Sequence, residues 1–293
     1  MSGPRRKRGL PSAPTRRSAT PGRVPPGRRT APGVPQGKVG PKRRTGVGGD
    51  QVEGRQAVRE LLLVGRRKVR EVWILADTEP SPVLEDIREL AEAHRIPIRE
   101  VGRGKFFAEA RCEAPQGVLA KAAPLPERAL EALVQQSGST PPFLVAVDGV
   151  TDPGNLGALL RSAECAGVTG VILPRHRAVH VTPTVTKAAA GAVEHLSFSV
   201  VGGLPAAIRS LGDAGVWVVG LDADGTTQLW DLPAADRPIC LVLGAEGSGL
   251  SRLVRQRCDD IVSIPLLGSL PSLNVSVAGA LACYEVARSR HRA

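Results

Sequence analysis

The stretch Ile264-Pro-Leu-Leu-Gly268-Ser-Leu-Pro-Ser272-Leu-Asn274-Val-Ser-Val-Ala278 divides into three parts. A β-branched run (Ile261, Val262, Ile264) stops at Pro265, which has no N–H to donate to a ladder. A loop of Gly, Ser, Pro and Leu follows. Ser272 or Asn274 then offers a side-chain oxygen to cap an apolar helix running from Val275 to about Arg288. Upstream, Leu241-Val-Leu243 breaks in the same way into Gly244-Ala-Glu246-Gly-Ser-Gly249-Leu250. Two buried strands ending in small-residue loops predict a floor where a ligand touches backbone, an approach that glycine permits.

Around this floor, residues 141–293 alternate between apolar runs and amphipathic stretches. The pattern predicts strands at 143–147, 168–173, 196–200, 216–221, 239–243 and 261–264. It predicts helices at about 155–167, 184–193, 203–214, 250–257 and 274–289. Strands apolar on both faces suit a parallel sheet covered by helices, so the fold class is a doubly wound α/β domain. Ligands of such sheets sit at the carboxyl ends of strands. The loops there are 148–156, 220–228, 244–250 and 265–274.

Residues 50–123 read as a smaller α/β unit. Helices are predicted at 56–64, 83–94 and 105–110, and strands at 72–76, 96–101 and 116–120. Residues 124–140, with Pro124, Pro126 and a helix over 127–136, are a linker or the first element of the next domain. Residues 1–49 mix Pro, Gly and basic residues. They cannot bury enough apolar surface to offset their ordering entropy and are expected to be disordered.

The net charge of +11 is uneven. Residues 1–49 hold 13 Lys/Arg and no acid, leaving 26 Lys/Arg against all 28 acids elsewhere. The basic balance therefore belongs to the tail, which suits contact with nucleic acid. Five scattered cysteines (112, 165, 240, 258, 283) form neither a CxxC pair nor a His/Cys cluster. Reduced thiols in the cytoplasm and no metal site are expected. The Arg-rich start lacks an apolar core and is too rich in Pro and Gly for an amphipathic transit helix. No apolar run is long enough to span a membrane.

Asp152-Pro-Gly-Asn155 is strong turn chemistry that opens the helix carrying Arg161 and Ser162. The first strand-to-helix turn lacks GxGxxG, which disfavours an ordinary dinucleotide site. The loop Gly244–Leu250 lacks the Gly-Lys-Ser/Thr ending of a phosphate loop, and Glu246 there would repel phosphate. A neutral or cationic ligand suits it better.

Taken together, Asp152-Pro-Gly-Asn155 with Arg161-Ser-Ala163, Leu243-Gly244-Ala-Glu246-Gly with Gly249-Leu250, and Ile264-Pro with Gly268 and Ser272–Ala278 resemble the three motifs of the SpoU (TrmH-type) RNA ribose 2′-O-methyltransferases of the SPOUT superfamily. Val52-Glu-Gly54-Arg-Gln-Ala57-Val58 and Gln116-Gly117-Val118 look like that family's small L30-like substrate-binding domain. The resemblance spans about residues 52–290, and the 23S rRNA guanosine branch is the nearest in pattern. It implies a trefoil knot in the C-terminal domain, a rare exception to unknotted topology. It further implies S-adenosylmethionine as methyl donor, RNA as substrate and a homodimer.

By position, the resemblance assigns donor contacts to Gly244, Ile264 and Leu273, with Leu243, Ala245 and Leu221 beside them. It assigns catalysis to Arg161, Asn155, Glu246, Ser272 and Asn274. A guanidinium is a poor base, so Arg161 suits a phosphate grip or the steadying of alkoxide charge. Glu246 is expected to orient Asn155 or Arg161, or to bond loop amides. Ser272 and Asn274 also have a plain role as helix caps. The same motifs leave open a tRNA substrate or a non-catalytic rRNA-binding assembly factor.

The chain departs from the family pattern in two places. The run Lys187-Ala-Ala-Ala-Gly191-Ala lacks the family's usual Ser and predicts packing. Pro115 stands where a His often precedes Gln116-Gly117. After the strand at Leu173-Pro174, the cluster Arg175-His176-Arg177 suits either phosphate contact or a solvated loop. With aromatics at 3 % of the chain, base stacking on an aromatic sheet is disfavoured.

Overall fold

The computed structural model describes residues 47–135, 140–176, 179–232 and 237–292, which carry two sheets. The tail expected to be disordered lies, up to residue 46, outside the described residues. Its last part does not: Val47 is buried and Gly48 bridges Val181.

The first sheet is built from β1 (Gln51–Glu53), α1 (Arg55–Val64), β2 (Val69–Leu75), α2 (Pro82–Ala93), β3 (Ile98–Val101), α3 (Arg103–Glu109) and β4 (Val118–Ala122). Its order is β1-β4-β2-β3, with only the β2–β3 pair parallel. The apolar stripe Ala57, Val58, Leu61 and Leu62 seats α1 on one face beside Ile87 of α2. The opposite face packs Trp73, Leu75 and Leu119 against Phe106 of α3.

The chain continues through α4 (Leu130–Val134), β5 (Phe143–Asp148), α5 (Pro153–Cys165), β6 (Gly170–Pro174), α6 (Pro183–Ala188), β7 (Ser197–Val201), α7 (Leu204–Asp213), β8 (Trp217–Leu221), β9 (Thr227–Gln228), β10 (Ile239–Gly244), α8 (Arg252–Arg255), β11 (Asp260–Ser263) and α9 (Val275–Arg292). The second sheet has the order β7-β6-β5-β10-β8-β11-β9, and every pairing is parallel.

Both faces are covered, as apolar strands require. Phe143, Val145 and Val147 of β5 face the core shared with α5 and α9, and Leu144 and Ala146 face the core shared with α4, α7 and α8. α4 thus belongs to the larger sheet. It starts later than the helix predicted over 127–136, because Glu127 forms an extended bridge with Phe198 of β7, closed by the Arg128 N–H on the Phe198 carbonyl at 2.7 Å.

The helix predicted over 184–193 is two pieces. α6 ends at Ala188, and a single 3-10 turn follows at Ala192–Glu194. Between them Ala190 and Gly191 take positive φ, 50° and 88°. At Gly191 a Cβ would collide with the side chain of Glu60 on α1, so glycine is required by contact as well as by dihedral. The alanine run does pack: Ala188 occupies the space beside Gly157 of α5. The strand at 51–53 and the two-residue β9 were not predicted.

Candidate active site

In parallel register the strands of the larger sheet end level. Gly244 lies beside Asp148, Leu243 beside Leu221, and Val262 beside Leu221. The loops leaving these ends enclose a cleft of about 720 Å³. Its apolar wall is Leu221, Leu243, Ile264, Leu266 and Leu273, and its polar groups include Asp222, Asp224, Glu246, Ser272 and Arg255.

The Gly244–Leu250 loop is drawn back against itself. Ala245 and Gly249 exchange backbone hydrogen bonds at 3.0 and 2.9 Å. A Cβ at Gly244 would fall on the backbone of Gly249 and Leu250, so no other residue fits there without opening the loop. Two carboxylates pin its far end. Asp148 accepts from the Ser251 N–H at 2.7 Å, and Asp222 accepts from the Leu250 N–H at 3.4 Å.

Asp222 also accepts from the Asp224 N–H at 3.2 Å and pairs with the Arg255 guanidinium at 2.8 Å. Burial works to raise the Asp222 carboxyl. The Asp224 N–H, the Arg255 guanidinium and the Leu250 N–H outweigh it and hold Asp222 below the usual carboxylate range.

At the mouth of the cleft three segments meet through one chain of hydrogen bonds. Asp152 caps α5, its Oδ1 accepting from the Asn155 N–H at 2.7 Å. The Asn155 side-chain amide donates to Glu246 Oε2 at 3.1 Å, and its oxygen accepts from Asn274 Nδ2 at 2.8 Å. Asn274 Oδ1 accepts from the Ser276 N–H at 2.9 Å and from its hydroxyl at 2.6 Å. Asn274, rather than Ser272, is therefore the cap of α9.

All six residues expected to hold the donor line this cleft: Leu221, Leu243, Gly244, Ala245, Ile264 and Leu273. Of the residues expected to act in catalysis, Glu246 and Ser272 line it as well, and Asn155 and Asn274 join it through Glu246. Glu246 holds Asn155 and not Arg161. Arg161 lies about 9 Å further along α5 by helical rise. It is exposed and makes no hydrogen bond or ion pair among the described residues.

Sequence reasoning passed over Asp222, Asp224, Arg255 and Ser276. For Asp222 a signal existed, an acid directly after an apolar strand in one of the carboxyl-end loops. Of the basic cluster after β6, Arg175 and His176 are exposed, and Arg177 lies outside the described residues. Among the described residues no group of His, Cys, Asp and Glu could hold a metal, and no helix is long and apolar enough to cross a membrane.

Comparison with known proteins places relatives on both sheets. Residues 142–284 match the SpoU rRNA Methylase family, and residues 51–128 match the family described as RNA 2′-O ribose methyltransferase substrate binding. The 23S rRNA (guanosine-2′-O-)-methyltransferase RlmB of Photobacterium profundum is 38 % identical over 247 residues, covering 82 % of this chain and 98 % of its own. The protein of the same name from Pseudomonas aeruginosa is 39 % identical over 246 residues, covering 82 % and 97 %. Among solved structures, the SpoU methyltransferase AviRb from Streptomyces viridochromogenes in complex with AdoMet superposes with a TM-score of 0.68 at 28 % identity, covering 82 % of this chain and 90 % of its own.

Proposed function

This chain belongs to the SpoU rRNA methylase family, and on that premise we propose that it transfers a methyl group from S-adenosylmethionine to the 2′-hydroxyl of a guanosine ribose in 23S rRNA. The observation that carries the reading is the hydrogen-bonded chain Glu246–Asn155–Asn274 standing at the mouth of an apolar cleft.

The cleft fits that donor. Gly244 leaves backbone bare where a side chain cannot go, and Leu221, Leu243, Ile264 and Leu273 offer apolar walls for an adenine. Asp222, Asp224 and Glu246 give the cleft an acidic character that suits a sulfonium cation. When bound, the donor supplies an electrophilic methyl group.

The chain's own residues do the rest. Asn155 is held at both ends of its amide, so its orientation is set before substrate arrives. Fixed polar groups of this kind place the ribose oxygen in line for attack, and positioning alone is worth several kcal/mol of a barrier, on the order of 7 or more in the best cases. Arg161 has no carboxylate to neutralise it among the described residues, and in this reading it grips an RNA phosphate and steadies the charge that develops on the 2′-oxygen as its proton passes to solvent at the exposed cleft mouth. Ser272 completes the polar wall. The small unit around β1–β4 presents the RNA, and the basic tail adds backbone contacts.

The same reading carries a trefoil knot closed by α9 and a homodimer. The helix expected to close the knot, α9, packs along α5 and against β10. On its outer side Val277, Leu281 and Tyr284 fall at i, i+4 and i+7 and are exposed, with Leu267 fully exposed nearby in sequence. A second copy covers that stripe. A ribosomal RNA substrate and free cysteines support a cytoplasmic location in this reading.

The decisive experiment supplies labelled donor and unmodified 23S rRNA to the purified protein and maps the label. Incorporation at the 2′-oxygen of one guanosine is expected. Label on tRNA instead would move the substrate. No label on either RNA, from protein that binds the donor in a calorimeter, would end the reading.

A further inference from the structure

The two sheets meet across a junction whose polar groups are paired. Arg67, in the turn after α1, is buried, and so is Glu194, in the 3-10 turn after α6. Arg67 Nε donates to Glu194 Oε2 at 2.9 Å and Nη2 to Oε1 at 2.5 Å, a two-pronged pair with side chains only 3 % and 2 % exposed. Arg67 Nη1 donates to the carbonyls of Gly49 and Ala123. Gly49 is where the chain comes into the small sheet, and Ala123 is where it leaves. One guanidinium therefore joins both crossings of the chain to a turn of the larger sheet's unit.

Other contacts surround this pair. Arg66 donates to the carbonyl of Glu194 at 2.9 Å, the His195 ring stands 3.0 Å from the Glu60 carboxylate, and Gly191 packs on Ala57 and Glu60 of α1. A buried ion pair adds little net stability, because its attraction roughly offsets the cost of leaving water. Its effect on orientation is larger. Any other docking angle that kept the junction dry would strand a guanidinium or a carboxylate without a partner. Glu194 is in turn referred to the cleft: its turn follows α6, α6 packs on α5 at Gly157, and the first turn of α5 carries Asn155.

We propose that Arg67 and Glu194 are positioning residues that fix the angle at which the small unit presents RNA to the cleft. The small unit is then a rigid arm, not a tethered module. The proposal rests on the reading above that this unit carries the RNA.

Two spin labels on the full chain test it, one on Glu89→Cys of α2 and one on the natural exposed Cys165 of α5, diluted with unlabelled protein to silence contacts between copies. The distance distribution without RNA should be single and narrow; a broad one would overturn the proposal. Arg67→Met combined with Glu194→Leu replaces the pair by apolar groups of similar volume, which such sites tolerate. That variant should broaden the distribution and lower kcat/KM for RNA about tenfold or more, with donor affinity unchanged. A variant that keeps the wild-type distribution or the wild-type kcat/KM contradicts it. If the variant does not fold, the wild-type distribution alone decides. Wild-type protein that methylates no RNA would sink the functional reading while the label distances still report on the arm.

Discussion

The side-chain amide of Asn274 donates to the side-chain oxygen of Asn155 at 2.8 Å, across 119 positions of sequence. The same Asn274 caps α9, and Asn155 sits in the capped first turn of α5. Asn274 cannot turn without releasing the start of α9, and Asn155 cannot turn without losing both Glu246 and Asn274, so the two helices and the Glu246 loop hold one geometry at the cleft mouth.

Asn155→Ala removes the central member of that chain. The fold and the apolar cleft remain, so donor affinity should stay within about twofold while single-turnover methyl transfer falls about 10²-fold, the scale of losing one fixed polar contact to a reacting oxygen. Calorimetry and a single-turnover assay separate the two. An equal loss in both would make Asn155 a donor-binding residue instead.

Gly244→Ala puts a methyl group onto the backbone of Gly249 and Leu250. The loop must open to admit it. Donor affinity should drop about tenfold, and urea denaturation should show a loss of about 1–3 kcal/mol, the usual cost of overpacking. Unchanged donor affinity would mean that this loop is not the donor's floor.

The Asp222 carboxyl titrates below its ordinary range, because the Asp224 N–H, Arg255 and the Leu250 N–H outweigh its burial. A carboxyl lowered by folding stabilises the folded state above its unfolded pKa of about 3.9 and loses that contribution as pH falls through the folded value. Asp222→Asn should therefore lower Tm at pH 7, and the gap from wild type should close as pH drops below about 4. Thermal scans from pH 7 to pH 3 check it; a gap that stays constant throughout contradicts the assignment.

Leu281→Glu places a charge in the exposed apolar stripe of α9. Sedimentation should show the wild type as a dimer and the variant as a monomer, with far-UV circular dichroism unchanged. A wild-type monomer at micromolar concentration would remove the proposed partner copy.

Much of the larger sheet was legible because Phe143–Val147 and Ile239–Leu243 are short β-rich runs apolar on both faces, as doubly covered strands are. The helix starts were legible from the turn chemistry at Asp152 and from the polar residues before Val275, although the choice between Ser272 and Asn274 as cap needed the Asn274–Ser276 bonds. β1 was not: Gln51 and Glu53 are polar and yet buried, because Gln51 bonds Glu53, and Glu53 accepts the N–H groups of Arg111 and Cys112. Such pairing spans nearly 60 positions and leaves no local trace. The break in α6 was hidden by three alanines, whose helix preference says nothing about the contact Gly191 makes with α1. Arg67 and Glu194 pair across 127 positions, so nothing local in the sequence marks them. At the cleft, the motif residues other than Arg161 fell together; Asp222 left a trace directly after an apolar strand, but its partner Arg255 became visible only once strand ends were aligned.

The place of β10 between β5 and β8 has a consequence for biosynthesis. Both neighbours are translated before it, and the edges they turn toward each other stay open until Ile239–Gly244 has left the exit tunnel. Unpaired apolar edges invite association with other nascent chains. A product truncated before Ile239 is thus expected in inclusion bodies, and full-length yield should rise when a trigger-type chaperone is overproduced alongside it.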